Sequence, residues 1–519
     1  MMAAPGERAA DLDRLRNGPE WDVLVVGGGA TGLGCAVDAA ARGYRTLLVE
    51  RGDYAGGTSS RSTKLIHGGV RYLRQGDLAL VRHALAERAR LLANAAPLVR
   101  PLPFVIPLRG LGERLRYGAG LKLYDLLAGA RGIAASELLD RRQTLAALPG
   151  LRGDGVVGGV RYWDAQFDDA RLAVTLMRSA RDRGATCLNY CALIGLLKAG
   201  GRVCGGVLRD AESGEEFAVR ARAVINATGV YADAVRRLDD AGTAPLLTPS
   251  QGIHLVVDAD FLPGASALLV PETEDGRVMF AIPWLGKVLL GTTDTARDDL
   301  PDEPLPLAGE VDFVLRTAAG VLARPPRRSD VRSVFAGLRP LLAPAAGSPG
   351  GKVSPAALSR EHAIVVGDSG LLTVTGGKWT TYRWMAEQVV DRAAAVAGLP
   401  AGVCETRGLC LHACADGGGS VYGSDAAAVA ALPGAGSALH PALPYDEAMV
   451  RFAFRCEGAR TIEDVLARRT RALFIDAAAA EAAIGRVAEI LDEELAPSPA
   501  RLQALQTAAL LAARRFRLS

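Results

Sequence analysis

The chain has few aromatic residues and few lysines, and neither charge sign is in excess. Aromatic side chains make up 5% of its 519 residues, and only six of the 60 basic residues are lysines. The 57 acidic residues nearly balance the basic ones, which leaves a formal net charge of +3. Because binding to a phosphate backbone requires a basic surface, this balance argues against a nucleic-acid partner.

Paired metal ligands are also scarce in the sequence. The eight cysteines include no C-x-x-C pair, and the only cluster that resembles a ligand set is Cys410-Leu-His412-Ala-Cys414, with Cys404 nearby. Zinc sites usually need four ligands with a recognisable second pair, so we predict that the protein binds no metal. The cysteines are expected to be buried free thiols in a reducing cytoplasm.

Targeting and membrane-spanning segments are not visible either. Residues 1–20 carry both signs of charge and no apolar core, unlike a signal peptide. No apolar run reaches the roughly 20 residues that a membrane-spanning helix needs. The sequence therefore predicts a large cytoplasmic protein of two or three domains.

The most informative motif lies near the start of the chain. The apolar run Asp22–Val26 is followed at once by the glycine motif Gly27-Gly-Gly29-Ala30-Thr31-Gly32, and a second apolar run ends at Glu50, 21 residues after Gly29. This is a G-x-G-x-x-G turn between a strand and a helix, closed by an acid that can bind ribose hydroxyls. The helix N-terminus behind the glycines can bind a pyrophosphate. We therefore predict a dinucleotide-binding unit.

Three later segments indicate which dinucleotide is bound. Residues 56–72 form a long loop rich in Gly, Ser, Thr and basic side chains, where a simple nicotinamide-binding fold would continue with its next βα unit. Residues 223–229 read as a buried strand that ends in a glycine turn. Residues 370–383 read as a strand, a Gly-Gly turn and a helix start, whose N-terminus could stabilise negative charge on a reduced ring. Separated segments that converge on one extended ligand predict FAD.

The pattern of elements predicts three structural units, an α/β flavin domain, a sheet-rich domain and a helical domain. Helices are expected to begin near Asp77, after Asp168, near Glu310 and at the capping box Thr461-Ile-Glu-Asp464. We assign residues 20–95, 160–240 and 355–395 to a discontinuous FAD-binding domain, 96–159 to an excursion, 241–354 to an antiparallel-sheet substrate or cap domain, and 396–519 to a C-terminal helical domain.

The excursion contains a segment suited to a membrane surface. Between residues 109 and 131 there are five basic residues and only two acidic ones, interleaved with leucines and tyrosines. A basic amphipathic helix of this kind can dock on an anionic leaflet. An ordinary solvated helix packed on the protein core is an equally good interpretation.

Several motifs resemble those of one family, the FAD-dependent glycerol-3-phosphate dehydrogenases. The similar blocks run in the same order from about residue 20 to 490, and the longest are 57–73 and 376–383; shorter ones are 168–172, 282–284, 291–294, 337–340 and 463–469. The resemblance implies a Rossmann-like fold of the glycine-oxidase and D-amino-acid-oxidase type with an added helical domain. It also implies oxidation of sn-glycerol 3-phosphate to dihydroxyacetone phosphate by hydride transfer to flavin N5, with electrons passing to a membrane quinone in glycerol catabolism.

The glycine motif and the family resemblance together predict a set of candidate site residues. By resemblance Arg339 and Arg360 match the substrate-binding arginines, and two guanidiniums suit a phosphate. His254 is the candidate general base, Tyr72 a substrate contact, and Lys378 a cation near the flavin or the substrate anion. The cofactor-binding candidates are Gly27, Gly29, Ala30, Thr31, Gly32, Glu50, Thr58, Ser59, Ser60, Ser62, Lys64, Leu65, His67, Gly68, Ala227, Gly229, Gly377, Lys378, Trp379 and Thr380.

Two positions depart from the family pattern. Gln251 stands where a basic residue is common, which weakens any role for a basic side chain there, and Tyr231 stands where tryptophan is common. The implied protein is peripheral at the inner face of the cytoplasmic membrane, and the sequence leaves open whether it forms a homodimer.

Three alternatives remain at this point. An oxidase of the same fold would return electrons to oxygen, and sequence motifs do not determine access of oxygen to the flavin. An amine-oxidising or amino-acid-oxidising relative would need a carboxylate clamp, for which two arginines and Lys378 are more than enough charge. A non-catalytic flavoprotein would bind FAD and be reduced by no polyol phosphate.

Overall fold

The computed structural model describes residues 7–69, 77–274, 276–343, 362–415 and 419–518. Its strands are β1 Trp21–Val26, β2 Thr46–Val49, β3 Leu65–Ile66, β4 Val99–Leu108, β5 Glu137–Asp140, β6 Gly158–Phe167, β7 Thr186–Leu188, β8 Cys191–Ala199, β9 Arg202–Asp210, β10 Glu216–Asn226, β11 Leu247–Asp258, β12 Ala267–Val270, β13 Met279–Trp284, β14 Lys287–Gly291, β15 Thr295–Ala296, β16 Val331–Leu342, β17 His362–Val366 and β18 Leu372–Gly376. Its α-helices are α1 Glu7–Asn17, α2 Ala30–Ala41, α3 Leu78–Asn94, α4 Leu111–Ala128, α5 Arg141–Ala147, α6 Asp169–Asp182, α7 Ala232–Asp239, α8 Ala308–Val321, α9 Tyr382–Ala397, α10 Ala426–Ala430, α11 Glu447–Cys456, α12 Ala472–Ile475, α13 Ala477–Ala482, α14 Ile484–Leu495 and α15 Pro499–Arg515.

The first sheet is buried on both faces. Its strand order is β17-β18-β10-β1-β2-β7, with β18, β10, β1, β2 and β7 parallel and the hairpin β8–β9 joined to β10. On one side Val23 and Val25 pack against helices α2, α6 and α9, and on the other Leu24 and Val26 pack against residues of β9 and β10. A strand buried on both faces has no polar side, which explains the continuous apolar run in the sequence.

The second sheet has the order β15-β11-β14-β13-β12-β4-β6-β3, with β16 added to β11 and β5 to β6. It is antiparallel except for the pair β12–β4. Residues 160–167 were predicted to belong to the flavin domain and residues 96–108 to a separate excursion, but both segments form strands of this sheet. Their register pairs Phe104 with Tyr162, and a contact between such distant positions leaves no local pattern in the sequence.

The predicted helix starts agree with the structure where capping side chains are present. Asp77 accepts a hydrogen bond from the Leu80 amide at the start of α3, and Asp168 accepts from the Ala170 and Arg171 amides at the start of α6. Near residue 461, Thr461 and Asp464 exchange hydrogen bonds at the start of a helical segment that continues as a π-helix over Asp464–Arg469. Short polar side chains at these positions satisfy amides that have no partner within the helix.

The C-terminal helices join the rest of the protein through apolar and ionic contacts. Residues of α11 to α15 share one buried cluster with Trp284 and Phe335 of the second sheet. Beside the first sheet, the buried carboxylate of Asp53 accepts two hydrogen bonds from Arg469, at 2.6 and 2.8 Å, and one from Arg468. Burial would raise the pKa of Asp53, but the two guanidiniums outweigh it and lower the pKa to about 2. This carboxylate therefore stays ionised and ties the C-terminal domain to the first sheet.

We expect Asp53→Asn to lower the free energy of unfolding by about 3–5 kcal/mol, because the buried guanidinium of Arg469 loses its counter-charge and Arg468 loses one of its carboxylate partners. Chemical denaturation at neutral pH measures the loss. The control is Asp492→Asn on an exposed position of α14, which should leave the unfolding free energy nearly unchanged.

The difference between wild type and Asp53→Asn should also depend on pH. A carboxyl whose pKa is lowered on folding stabilises the protein above its unfolded pKa of about 3.9 and loses that contribution as the pH falls through its folded pKa. The difference should therefore be constant above about pH 4 and shrink towards pH 2. An equal difference at every pH would contradict the ionic explanation.

Candidate functional site

A cavity of about 1130 Å³ lies between the two sheets. It is larger than the roughly 300–1,000 Å³ of a typical small-molecule site, which leaves room for an extended ligand. Most of the predicted cofactor residues line it: Gly27, Gly29, Ala30, Thr31, Glu50, Thr58, Ser59, Ser62, Leu65, His67, Ala227, Gly229, Gly377, Lys378, Trp379 and Thr380. His254 and Arg339 of the second sheet line the same cavity, so the cofactor candidates and the substrate candidates share one space.

The glycine motif joins strand β1 to helix α2 at one end of the cavity. Gly27 has a φ of +112°, and a Cβ at this position would lie 2.6 Å from the Ala227 carbonyl oxygen. A Cβ at Gly32 would lie 1.9 Å from the Gly27 carbonyl oxygen. Residues with side chains would therefore push the turn away from β10 and from the helix. The close turn places the N-terminus of α2 at the cavity wall, where a helix N-terminus suits a pyrophosphate.

Glu50 lies at the end of β2 beside this turn. Its carboxylate accepts hydrogen bonds from the Gly28 amide at 2.7 Å and the Gly52 amide at 2.9 Å. Burial raises the pKa of Glu50, and the two amides partly offset that rise. The carboxylate is thus fixed on the cavity wall, where its lone pairs can accept from ribose hydroxyls. The glycine turn and this acceptor fit the adenosine half of a dinucleotide.

The loop of residues 57–64 forms the next part of the wall. The Ser59 hydroxyl accepts from the Ala30 amide at 2.9 Å, and the Ser59 carbonyl accepts from the Trp379 indole at 2.9 Å. The loop therefore joins the glycine turn to the segment that precedes helix α9. This convergence of distant segments agrees with the prediction that they bind one extended ligand.

Four of the predicted cofactor residues lie behind the wall instead of on it: Gly32, Ser60, Lys64 and Gly68. The Lys64 ammonium is fully buried and donates to the Ser60 carbonyl and to the Asp169 carboxylate, both at 2.7 Å. Burial lowers the pKa of Lys64 to about 7, although Asp169 opposes the shift. The side chain points away from the cavity because Lys64 has a left-handed φ of 62°, which its sequence neighbours did not reveal. Lys64 thus supports the loop from behind.

His254 occupies the opposite end of the cavity on strand β11. The imidazole is buried, stacks on Phe335 with ring centroids 5.0 Å apart, and has its Nε2 3.0 Å from the Thr63 hydroxyl oxygen. Burial lowers the pKa of His254 well below its ordinary value, and the charges of Lys64 and Arg339 lower it further. The ring is therefore neutral at physiological pH and carries one proton, as a general base requires.

Arg339 lies on strand β16, where it pairs in register with Ser250 of β11. Its guanidinium donates to the Thr292 hydroxyl at 3.0 Å, to the Thr293 carbonyl at 2.9 Å and to the Asp294 carboxylate at 3.1 Å. These contacts fix the planar group while it still lines the cavity. A fixed guanidinium of this kind can bind a phosphate or a carboxylate.

Of the remaining candidate residues, the structure describes Lys378 and Thr380 but not Tyr72 and Arg360. Lys378 lines the cavity just before the short 3₁₀ turn Trp379–Thr381 that leads into α9, and the His67 amide donates to the Thr380 hydroxyl at 3.2 Å. Tyr72 and Arg360 lie outside the described residues, so their roles stay predictions.

Sequence reasoning missed other polar residues of the cavity, among them Arg61, Thr63, Arg277 and Asp294. Thr63 is within the loop that the sequence analysis singled out, but nothing local indicates that its hydroxyl reaches His254. The Arg277 guanidinium donates to the Asp294 carbonyl at 2.9 Å. Such contacts depend on strand register, which becomes visible only in the folded sheet.

Comparisons with known proteins agree with this geometry. Residues 22–383 match the family model described as FAD dependent oxidoreductase, and residues 412–502 match the C-terminal domain of alpha-glycerophosphate oxidase. The mitochondrial glycerol-3-phosphate dehydrogenase of Mus musculus is 39% identical over 543 residues, which cover 96% of this chain and 74% of the mouse protein. A probable mitochondrial glycerol-3-phosphate dehydrogenase of Caenorhabditis elegans is 40% identical over 95% of this chain and 73% of its own.

The chain belongs to the FAD-dependent glycerol-3-phosphate dehydrogenase family. A solved structure of a glycerol-3-phosphate dehydrogenase from Bacillus halodurans, complexed with FAD, is similar over 99% of this chain and 98% of its own, with a TM-score of 0.79 and 29% identity. A glycine oxidase from Geobacillus kaustophilus covers 76% of this chain and 98% of its own, with a TM-score of 0.54 and 19% identity, and so shares the fold. The predicted fold class and the FAD cofactor are thus confirmed for this member of the dehydrogenase family.

Within the described ranges, no three His, Cys, Asp or Glu side chains are grouped so that they could hold a metal ion. In that part of the chain, none of the helices is both long enough and apolar enough to cross a bilayer.

We expect Glu50→Ala to weaken FAD retention at least about tenfold, because hydrogen bonds to a charged acceptor contribute about 1.5–3 kcal/mol. The rise in fluorescence as FAD leaves the protein measures its dissociation constant. Glu216→Ala is the matched control, since Glu216 is exposed on the β9–β10 hairpin and pairs with Arg209. FAD affinity equal to wild type in Glu50→Ala would rule out the ribose-binding role.

Proposed function

We propose that this protein oxidises sn-glycerol 3-phosphate to dihydroxyacetone phosphate and passes the electrons to a membrane quinone. The observation that carries the proposal is the shared cavity, in which a fixed guanidinium and a neutral buried imidazole face the segments that fit FAD. The relatives named above as glycerol-3-phosphate dehydrogenases support the choice of substrate.

Each side chain has a separate task in this reaction. Bound FAD supplies the acceptor for the hydride that leaves C2 of the substrate. Arg339 attracts the phosphate by its positive charge, and its carbonyl and hydroxyl partners hold the guanidinium still on the cavity wall. His254 accepts the proton of the C2 hydroxyl, since its depressed pKa keeps the imidazole neutral. Lys378 places positive charge on the cavity wall and favours anionic groups there.

The surface of helix α4 supports docking on a membrane. Leu121 and Tyr124 point into the protein core, whereas Leu115 and Leu126 are each 76% exposed and lie eleven residues, about three turns, apart on one face. Lys122 lies between those two leucines on the same side of the helix. Apolar side chains that face water beside basic ones are suited to the interface of an anionic bilayer. We therefore propose peripheral attachment to the inner face of the cytoplasmic membrane through α4, where reduced FAD can meet quinone.

Anaerobic titration with sn-glycerol 3-phosphate tests the substrate directly. The yellow protein should lose its flavin absorbance with this phosphate, whereas glycerol and glycine should leave the absorbance unchanged. Bleaching by glycine would favour an amine oxidase, and bleaching by none of the three would favour a non-catalytic flavoprotein. Rapid recolouring in air with formation of peroxide would favour an oxidase over a quinone-linked enzyme.

We expect Arg339→Ala to lower kcat/KM for glycerol 3-phosphate at least about tenfold while most of the FAD stays bound. A charge-assisted contact with the phosphate contributes about 1.5–3 kcal/mol. Arg332→Ala is the matched control, because Arg332 is on the same strand and pairs at the surface with Asp258. Steady-state kinetics and the ratio of flavin to protein absorbance measure both effects. Wild-type kcat/KM in Arg339→Ala would place the phosphate site elsewhere.

We expect two α4 variants to lose binding to anionic liposomes. Arg114→Glu with Lys122→Glu removes attraction of roughly 1 kcal/mol for each basic residue, and this part should weaken as salt is added. Leu115→Ser with Leu126→Ser removes the apolar contact. Sedimentation measures binding, and turnover with a soluble dye should be unchanged in both. Arg116 is kept because it lines the cavity.

The control for the leucine variant is Leu510→Ser with Leu511→Ser, since both side chains are exposed on α15. This control should sediment like wild type. If both α4 variants also sediment like wild type, α4 is not the docking surface.

A further inference from the structure

One buried carboxylate fastens both neighbours of Thr63. Asp169, the first residue of α6, accepts from the Ser62 amide at 3.0 Å, from the Ser62 hydroxyl at 2.7 Å and from the Lys64 ammonium at 2.7 Å. Asp169 is fully buried, so water does not compete for these contacts. The backbone of Thr63 is therefore held on both sides.

Arg471 of the C-terminal domain also contacts Asp169 and the loop of residues 57–64. Its Nη2 donates to the Ser60 carbonyl at 2.8 Å and to the other oxygen of Asp169 at 3.1 Å. The guanidinium lies 3.8 Å from the centroid of the Phe474 ring and is itself buried. Arg471 also has a left-handed φ of 65°, which is unfavourable for a residue with a Cβ. Such a conformation persists only where surrounding contacts stabilise it.

Thr63 is the described hydrogen-bond partner of the His254 imidazole. The ring lies between Phe335 and Gly291, where a Cβ on Gly291 would be only 2.4 Å from His254 Cδ2. Sandwiched in this way, the ring keeps its plane, but packing alone does not distinguish its two nitrogens. Nε2 faces the Thr63 hydroxyl, and the buried Nδ1 has no partner among the described residues. The hydrogen bond to Thr63 is thus the described contact that distinguishes the two ring nitrogens.

We propose that Thr63 and Arg471 are positioning residues for the oxidation. Arg471 and Asp169 hold the loop 57–64, the loop holds the Thr63 hydroxyl, and the hydroxyl fixes the orientation of the His254 ring. The C-terminal helical domain therefore contributes to the active site through Arg471, a residue that does not itself line the cavity. This inference rests on the proposed function to the extent that His254 acts on the substrate.

Thr63→Val tests the last link, since valine keeps the shape of threonine and removes the hydroxyl. With FAD bound, the ¹⁵N signals of the His254 ring should shift, because an imidazole nitrogen loses its hydrogen-bond partner. The chain has only six histidines, so selective labelling resolves them and His254→Asn assigns the signal. Thr63→Ser restores the hydroxyl and should restore the wild-type signal. Unchanged ring signals in Thr63→Val would overturn the proposal.

Kinetics of the same variants test whether this orientation matters for the reaction. Thr63→Val should lower kcat about tenfold or more with a smaller change in KM, because a misplaced general base affects the transition state more than substrate binding. Thr63→Ser should recover most of the loss. A wild-type kcat in Thr63→Val would overturn the positioning role.

Arg471→Lys tests the contribution of the C-terminal domain, since lysine keeps the charge and loses the fork of donors. We expect the same His254 signal shift as in Thr63→Val, a lower kcat and faster release of FAD. Arg486→Lys is the matched control, because Arg486 lies on α14 and pairs at the surface with Glu447. If Arg471→Lys behaves like Arg486→Lys, Arg471 has only a packing role. The NMR comparison holds even if glycerol 3-phosphate fails to reduce wild type, so the two proposals fail independently.

Discussion

The structure depends on satisfying the polar backbone of a loop that is buried between two sheets. Residues 57–64 have little regular secondary structure, so their amides and carbonyls need partners from elsewhere. Trp379 donates to the Ser59 carbonyl, Lys64 and Arg471 donate to the Ser60 carbonyl, and Asp169 accepts from the Ser62 amide. These partners come from three distant parts of the chain. The loop can therefore line the cavity only when the first sheet, α6 and the C-terminal helices are all in place.

The sequence predicted those features that depend on neighbouring residues. Gly27 and Gly32 were recognisable because the tight turn admits no side chain at either position. Asp77 and Asp168 were recognisable as helix starts, because each precedes a stretch with helical spacing of apolar residues. An aspartate side chain at that position accepts hydrogen bonds from the first free amides of the helix. The family motifs added the flavin and the fold, which the comparisons confirm. Residues whose role depends only on their neighbours in the chain, such as turn glycines and helix-capping acids, could therefore be recognised from the sequence.

Features that depend on strand register or on the direction of one side chain could not be predicted. Lys64 was grouped with the cofactor residues because its neighbours are, yet its left-handed backbone turns the ammonium towards Asp169. Strands β4 and β6 pair residues that are fifty or more positions apart in the chain, so their place in the second sheet left no pattern in either segment. The contact of Thr63 with His254 likewise joins the loop to β11. Each of these features depends on a long-range contact.

The two residues that were expected to depart from the family pattern, Gln251 and Tyr231, both contact the segment between β15 and α8, which also lines the cavity. The Gln251 amide nitrogen donates to Glu310 at 2.7 Å, and its oxygen accepts from Arg297 at 3.0 Å. A basic side chain at this position would pair with Glu310 but would place a second positive charge against Arg297. Tyr231 donates its hydroxyl to Asp302 at 2.9 Å, a contact whose geometry the larger indole of tryptophan would not reproduce. Gln251 and Tyr231 therefore each contact the segment between β15 and α8, Gln251 through Arg297 and Tyr231 through Asp302.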